Sequence, residues 1–298
     1  MLKLIIPFIN PVKLIQAWYY QKKNPKNRES NRHSELLFYA KILKNDMLHL
    51  GYFENIDTLP EDISFNQIEH AQTEYAKLIA NRISNNQSLV LDVGCGMGGL
   101  SKILFDNGFK VESLTPDRQQ KTHIDKKYNS FPCHHTKFEQ FAGDTKYGTV
   151  INSESLQYIK LDQAFATVEK ILLPGGKWII TDYFRIQQDT INKSGHMLKD
   201  FLSQTDKLNW KIIDEQDITL NILPTLKFVY MHVERFFQPL SEFAKDKLRY
   251  KQPWLYYLSS NFREAFLHKA NKEIAAIDPE KFAQEKKYML FVLQKNDL

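Results

Sequence analysis

The chain has 298 residues, 43% of them hydrophobic and 25% charged, enough to bury a sizeable core within one elaborated domain. Its net charge of +5 comes from Lys and Arg scattered among Asp and Glu, so the one-faced basic stripe of a nucleic-acid binder is missing. Two cysteines, Cys95 and Cys133, exclude a disulfide framework and a Cys-based metal cluster, and suit a reducing cytoplasm.

The first residues, Met1 to Ile9, form a short apolar run broken by Pro7, with no small-residue cleavage site, so a signal peptide is not expected. No segment reaches the length of a membrane span. The favoured reading of this arm is packing on the body. The second is peripheral membrane contact through residues 1–33, where Lys22, Lys23, Lys26, Arg28 and Arg32 would meet anionic lipid.

Up to residue 87 the pattern is helical. Leu36, Leu37, Tyr39, Ala40 and Leu43 form one apolar stripe, and Ile68, Ala71, Tyr75, Leu78 and Ile79 form another. From Ser88 strands and helices alternate, the signature of a doubly wound α/β sheet. The candidate strands are 89–93, 109–114, 133–136, 149–152, 178–182, 210–218 and 288–293. A helix over 162–172, with Phe165, Val168 and Leu172 on one face, stops at Leu173-Pro174-Gly175-Gly176. The interval before the last strand is too long for a loop and is rich in aromatic residues, so it reads as a helical insertion over the ligand edge of the sheet. Most of its rings are expected in its own core, and a few in an apolar pocket. The expected organisation is a helical arm and cap (1–87), a ligand-binding core (88–218), a helical lid (219–287) and a final strand (288–298).

Leu89-Val90-Leu91-Asp92-Val93 runs into Gly94-Cys95-Gly96-Met97-Gly98-Gly99, a glycine-rich turn that opens a helix. Glycines there let the backbone approach a ligand outside the carboxyl end of the strand. Gly94, Gly96 and Gly99 also fit the G-x-G-x-x-G spacing of a dinucleotide site, so the loop alone leaves the ligand open. A nicotinamide site would carry an acidic residue at the end of the second strand. That end reads Leu114-Thr115, which weakens the dinucleotide reading, and Asp92 ahead of the glycines favours a D-x-G-x-G form.

D-V-G-C-G-M-G-G, followed downstream by L-L-P-G-G-K-W-I-I-T-D, resembles the class I S-adenosylmethionine-dependent methyltransferases. Within them the chain is similar to the group of tocopherol-type small-molecule methyltransferases and cyclopropane fatty acid synthases. Four more segments carry the resemblance: Leu50-Gly51-Tyr52-Phe53-Glu54, Leu114-Thr115 with Gln120, Phe138-Glu139-Gln140-Phe141, and Ser153-Glu154-Ser155-Leu156-Gln157-Tyr158-Ile159. Together they span roughly residues 35–220. The resemblance implies a Rossmann-like seven-stranded sheet with its last strand antiparallel, and S-adenosyl-L-methionine as cofactor.

It also implies roles. Asp92, Gly94, Cys95 and Gly96 would hold the methionine part of the cofactor, with Ser153 close by. Thr115 and Gln120 would bind the ribose, Phe138 would stack on adenine, and Glu139 would accept from its amine. Methyl transfer is an in-line displacement in a dry site, and a general base is needed only for a protonated acceptor. Relatives place a histidine after the fourth strand where this chain has Gln157-Tyr158, so His49, His196 and Tyr158 are the catalytic candidates. Tyr52, Gln157 and Tyr183 are candidates for substrate contact, and Asp182 for a polar contact or a turn cap. The aromatic lid suggests a hydrophobic or lipid-like acceptor. The bicarbonate-binding Cys, Glu and His of the cyclopropane synthases correspond to Leu50, Gln157 and Thr181, which makes methyl transfer the expectation over lipid ring formation at a membrane surface.

Overall fold

Alternation of strand and helix from Leu89 onward builds a seven-stranded sheet in a computed structural model of the protein. The described residues are 11–23, 43–83, 87–188 and 193–295. The chain divides into two compact units between Ile42 and Leu43, so residues 43–83 belong with the sheet and the boundary expected near 87 does not separate a cap. The stripe expected over 36–40 lies outside the described residues. In the first unit the described element is α1 (Pro11–Lys23), which exposes Val12, Ile15, Trp18, Tyr19 and Tyr20. Lys22 Nζ sits 4.3 Å over the Trp18 ring.

In the second unit the strands are β1 (Leu89–Val93), β2 (Lys110–Thr115), β3 (Cys133–His135), β4 (Tyr147–Ser153), β5 (Leu172–Arg185), β6 (Trp210–Asp217) and β7 (Lys286–Lys295). Their order is β3-β2-β1-β4-β5-β7-β6, and β7 runs antiparallel to both its neighbours. Strand β1 is nearly uniformly apolar because both its faces are covered, as a central parallel strand requires. Successive side chains then take opposite faces. Leu91, Trp178 and Ile180 join Phe165, Phe201 and Phe291 on one side, while Val90 and Ile179 join Tyr75, Leu104 and Leu290 on the other.

The helices are α2 (Phe65–Ala80), α3 (Gly99–Asp106), α4 (Arg118–Lys127), α5 (Leu161–Ile171), α6 (Leu198–Lys207), α7 (Thr219–His232), α8 (Gln238–Lys251), α9 (Pro253–Leu258), α10 (Ser260–Ala276) and α11 (Pro279–Glu285). Helix α2 starts at a capping box of Ser64 and Gln67 and buries Ile68, Ala71, Tyr75 and Ile79, the stripe its sequence predicts. Asp117 caps α4 by accepting from the amides of Gln119 and Gln120.

The 219–287 segment differs from expectation in packing. It is helical, yet α8, α9 and α10 contain no buried residue. Phe228 is buried, whereas Phe236, Phe237, Phe243, Tyr250, Tyr257, Phe262 and Phe266 are exposed, so these rings form neither an insertion core nor a pocket lining. None of the described helices is long and apolar enough to cross a membrane.

Candidate active site

The strand order reverses between β1 and β4, and the crevice at the carboxyl ends of these strands is where an open α/β sheet binds its ligand. The glycine loop lies there. Gly94 has φ +72°, and a Cβ on it would come within 2.5 Å of Ser155 Cβ. Gly96 has φ +56°, and its Cβ would press within 3.2 Å of Leu48 Cδ1. The amides of Gly94 and Cys95 both donate to Leu114 O, at 2.8 and 3.2 Å. The Gly94 N–H is therefore spent on β2.

Asp92 is buried, and its Oδ2 accepts from Ser101 Oγ at 2.5 Å. Burial pushes its carboxyl up to about 6 against the pull of that bond. The Cys95 thiol is raised by its hydrogen bond with Cys133 and by burial. At the end of β2, Thr115 Oγ1 donates to Gln120 Oε1 at 2.5 Å, so the expected ribose pair is brought together. Phe138 is different: its ring is 2% exposed inside the core with Leu114 and Val93, leaving no open face for stacking. Glu139 beside it points to the surface. A Phe-Glu pair after a third strand cannot reveal whether the ring faces crevice or core; here the core wins.

A strap of residues 43–53 lies across the glycine loop, because Gly99 backs directly on Asn45 and Asp46. Its polar groups are held from several elements. Gln72 Nε2 on α2 donates to Met47 O and His49 O at 3.1 and 2.7 Å. Asp46, buried at φ +55°, accepts from His123 Nε2 at 3.0 Å, Lys127 Nζ at 2.6 Å and Tyr128 Oη at 2.5 Å. Burial alone would raise its pKa, but these three donors hold it below the usual carboxylate value. Farther on, the Gly51 amide donates to Thr225 Oγ1 at 3.2 Å and the Phe53 amide to Asn221 O at 2.9 Å, both on α7.

Under the strap, the ends of β4, β5 and β7 carry a buried polar network. Glu154, at φ +48°, accepts from the Leu50 amide at 3.0 Å and from Tyr288 Oη at 2.7 Å. Tyr75 Oη lies 3.0 Å from Tyr288 Oη and 2.9 Å from Ser153 Oγ. Asp182 accepts from the amides of Gln157 and Tyr183, at 3.0 and 2.9 Å. Burial raises both carboxyls, Asp182 to about 8. Tyr183 Oη donates to Gln157 Oε1 and meets Ser194 Oγ at 3.1 Å. Lys286 Nζ donates to Ser194 O and Oγ at 3.2 Å and lies 4.4 Å over the Tyr183 ring; burial pulls its ammonium down to about 8.

The catalytic candidates separate here. His49 stacks on Tyr75 with ring centroids 4.1 Å apart, and its Nδ1 is 3.2 Å from Leu50 O. The proton therefore belongs on Nδ1, and Nε2 is a lone pair with no partner and no exposed surface. Burial lowers its pKa to about 4. His196 is placed otherwise: its Nε2 lies 3.0 Å from Leu156 O and 2.8 Å from Ile159 O. Two carbonyls require a proton on that nitrogen, so His196 pins the turn after β4 and does not accept a proton at Nε2. Tyr158 stands at the exposed rim, while Tyr52 lines a cleft of about 340 Å³ with Phe53, Gln67, His70 and Glu74. Among the described residues, no group of three or more His, Cys, Asp or Glu is placed to hold a metal ion.

Sequence reasoning assigned no role to Glu154, Tyr75, Tyr288 and Lys286. Glu154 lies within the Ser153–Ile159 segment, and Tyr75 on the apolar face of α2. The usable signal is a tyrosine inside an otherwise apolar helical stripe.

Residues 91–180 match the methyltransferase domain family. A sterol 4-C-methyltransferase of Caenorhabditis elegans is 23% identical over 170 residues, covering 53% of this chain; the matched part spans about half (50%) of that relative. Geranyl diphosphate C-methyltransferase from Streptomyces coelicolor A3(2), solved with Mg2+, geranyl-S-thiolodiphosphate and S-adenosyl-L-homocysteine, superposes with a TM-score of 0.65 at 13% identity, over 87% of this chain and 92% of that one. The [4+2]-cyclase SpnF superposes with a TM-score of 0.60 at 17% identity, over 83% and 87% of the two chains. A cyclase on this framework means that the fold alone does not name the reaction. The chain thus has a Rossmann-like methyltransferase fold, and its glycine loop, β2 and β4 fall within a segment that matches the methyltransferase domain family.

Proposed function

We propose that the protein is an S-adenosyl-L-methionine-dependent methyltransferase acting on a hydrophobic small-molecule or lipid-like acceptor. The observation that carries this reading is the match of residues 91–180 to the methyltransferase domain, which covers the glycine loop and the ends of β2 and β4. The donor set fits the cofactor: two positive-φ glycines without Cβ atoms, Asp92 at the β1 end, and the Thr115–Gln120 pair at the β2 end. Cys95, in the glycine loop, and Ser153, at the end of β4, are the further residues proposed to meet the cofactor. The bound cofactor would supply an electrophilic methyl group on a sulfonium.

The chain's own residues then exclude water and orient the acceptor. The strap over residues 43–53 closes the crevice. Tyr75, Ser153, Gln157 and Tyr183 offer hydroxyls and an amide to a polar head on an otherwise apolar molecule. His49 Nε2 is the basic atom, deprotonated at neutral pH and sealed from bulk water. Support for an apolar acceptor comes from relatives named for a sterol and for geranyl diphosphate. Ring formation on a lipid chain draws no support from Leu50, Gln157 and Thr181, none of which is an anion-binding or basic side chain in the required place.

Calorimetric titration tests the reading. S-adenosyl-L-homocysteine is expected to bind with a stoichiometry of about one, as a single crevice requires. NADH binding in its place would overturn the reading.

A further inference from the structure

Helix α7 leaves the body, passes through the π-turn Val233–Phe237 and continues as α8; the chain returns through α9 and α10 to α11. No residue of α8, α9 or α10 is buried, although the segment carries large apolar and aromatic side chains among its charged ones. On α8 the residues Leu240, Phe243, Lys247 and Tyr250, continuing from Phe236, recur at helical spacing and form one stripe. Phe236, Leu240, Phe243 and Tyr250 are 61%, 63%, 61% and 80% exposed. On α10, Phe262, Phe266 and Lys269 repeat the arrangement.

Helices whose apolar side meets water need a covering surface. The charge around the stripe says which. Lys245, Lys247, Arg249 and Lys251 crowd residues 245–251 with Asp246 as the one acid there; at about 3.6 residues per turn Lys247 lies within the stripe and Lys251 beside it, while Lys245 and Arg249 fall on the opposite face. Lys247 Nζ lies 5.5 Å over the Phe243 ring, so cation and aromatic share one face. Interleaved aromatics and cations on an exposed helix suit the headgroup level of an anionic bilayer, with rings in the acyl boundary and ammonium groups among phosphates. A two-fold contact between copies would bring this cation cluster toward its own image, which disfavours self-association.

We propose that the α8–α10 arm docks on an anionic lipid surface. Its two roots explain why the arm would matter to the site. Helix α7 holds the strap through Thr225 and Asn221, and α11 places Phe282 against Tyr183, with ring centroids 5.9 Å apart. Docking therefore sets the candidate acceptor site at the bilayer edge. This inference identifies the surface from which the acceptor of the proposed reaction comes, but lipid binding is read without turnover, so the two readings fail separately.

The test is co-sedimentation of the full chain with vesicles of phosphatidylcholine alone and of phosphatidylcholine with equimolar phosphatidylglycerol. Binding is expected to the second and not the first, and to weaken as salt is raised. Combining Lys247→Glu and Lys251→Glu, the cations on the stripe side, should reduce binding by about tenfold or more. Combining Phe236→Ser, Leu240→Ser and Phe243→Ser should abolish it while thermal unfolding and S-adenosyl-L-homocysteine binding stay as in the parent. A chain lacking residues 1–33 should still bind. The inference is overturned by failure of the parent chain to sediment, by binding that disappears wholly with residues 1–33, or by light scattering that shows a dimer dissolved by the same serine substitutions.

Discussion

The carboxylate of Glu154, just past β4, accepts a hydrogen bond at 3.0 Å from the amide of Leu50, a residue 104 positions earlier in the chain. That bond ties the strap to the sheet at the edge where the acceptor is proposed to bind. Glu154→Ala should leave the half-buried Leu50 amide and the buried Tyr288 hydroxyl short of an acceptor and cost about 2 kcal/mol of stability, read by urea unfolding. Glu154→Gln keeps an acceptor oxygen and should recover most of that loss. Equal stability of the alanine variant and the parent would contradict the role.

Gly94 and Gly108 give a matched pair. Both have positive φ, but only at Gly94 does a Cβ meet a neighbour, while at Gly108 nothing lies within 4 Å. Gly108→Ala should cost about 1 kcal/mol through backbone strain alone. Gly94→Ala should cost more, by about 2 kcal/mol, and should also weaken S-adenosyl-L-homocysteine binding, since Ser155 must move. Calorimetry and thermal unfolding on both variants decide the matter.

His49 has a pH signature. Its pKa falls from 6.5 to about 4 on folding through burial, so between those values the unfolded chain binds more protons than the folded one. Stability from this group is complete above about pH 6.5, is lost as pH falls toward 4, and changes no further below that. The slope corresponds to up to ~3 kcal/mol. His49→Gln should flatten the dependence of stability on pH across that window. If His49 also serves as the base, the same variant should lower kcat for a hydroxyl acceptor by about 100-fold or more.

His196 acts through backbone. With Nε2 against Leu156 O and Ile159 O, it is a positioning residue for the turn that carries Gln157. His196→Ala should destabilise by about 1 kcal/mol and raise KM, while leaving the pH profile of kcat unchanged. A shift in that profile would return His196 to the chemistry.

Much of the core was legible from local pattern. Leu89–Val93, the helix that buries Phe165 and Val168, and Ile68–Ile79 all declare themselves by apolar periodicity, because burial on one or two faces leaves that trace in the sequence. Strand ends differ by one to a few residues, with β5 the extreme: it runs from Leu172 to Arg185, since pairing of Leu172 with Tyr147 on β4 starts it before the turn-like Pro174-Gly175-Gly176 and pairing with β7 carries it on to Arg185. The exposed aromatic arm misled, because composition counts rings without saying whether anything covers them.

By itself, the sequence determined the alternating sheet and the glycine turn after β1, consequences of short-range spacing; Thr115 and Gln120 entered only through the family resemblance, and their hydrogen bond is a finding of the structure. Only the tertiary structure decided that the Leu50 amide reaches Glu154, that Tyr288 reaches Tyr75, and that Lys286 lies over Tyr183. These are contacts between residues far apart in the chain. A polar side chain carries no local mark of its partner, whereas an apolar one advertises its face through periodicity.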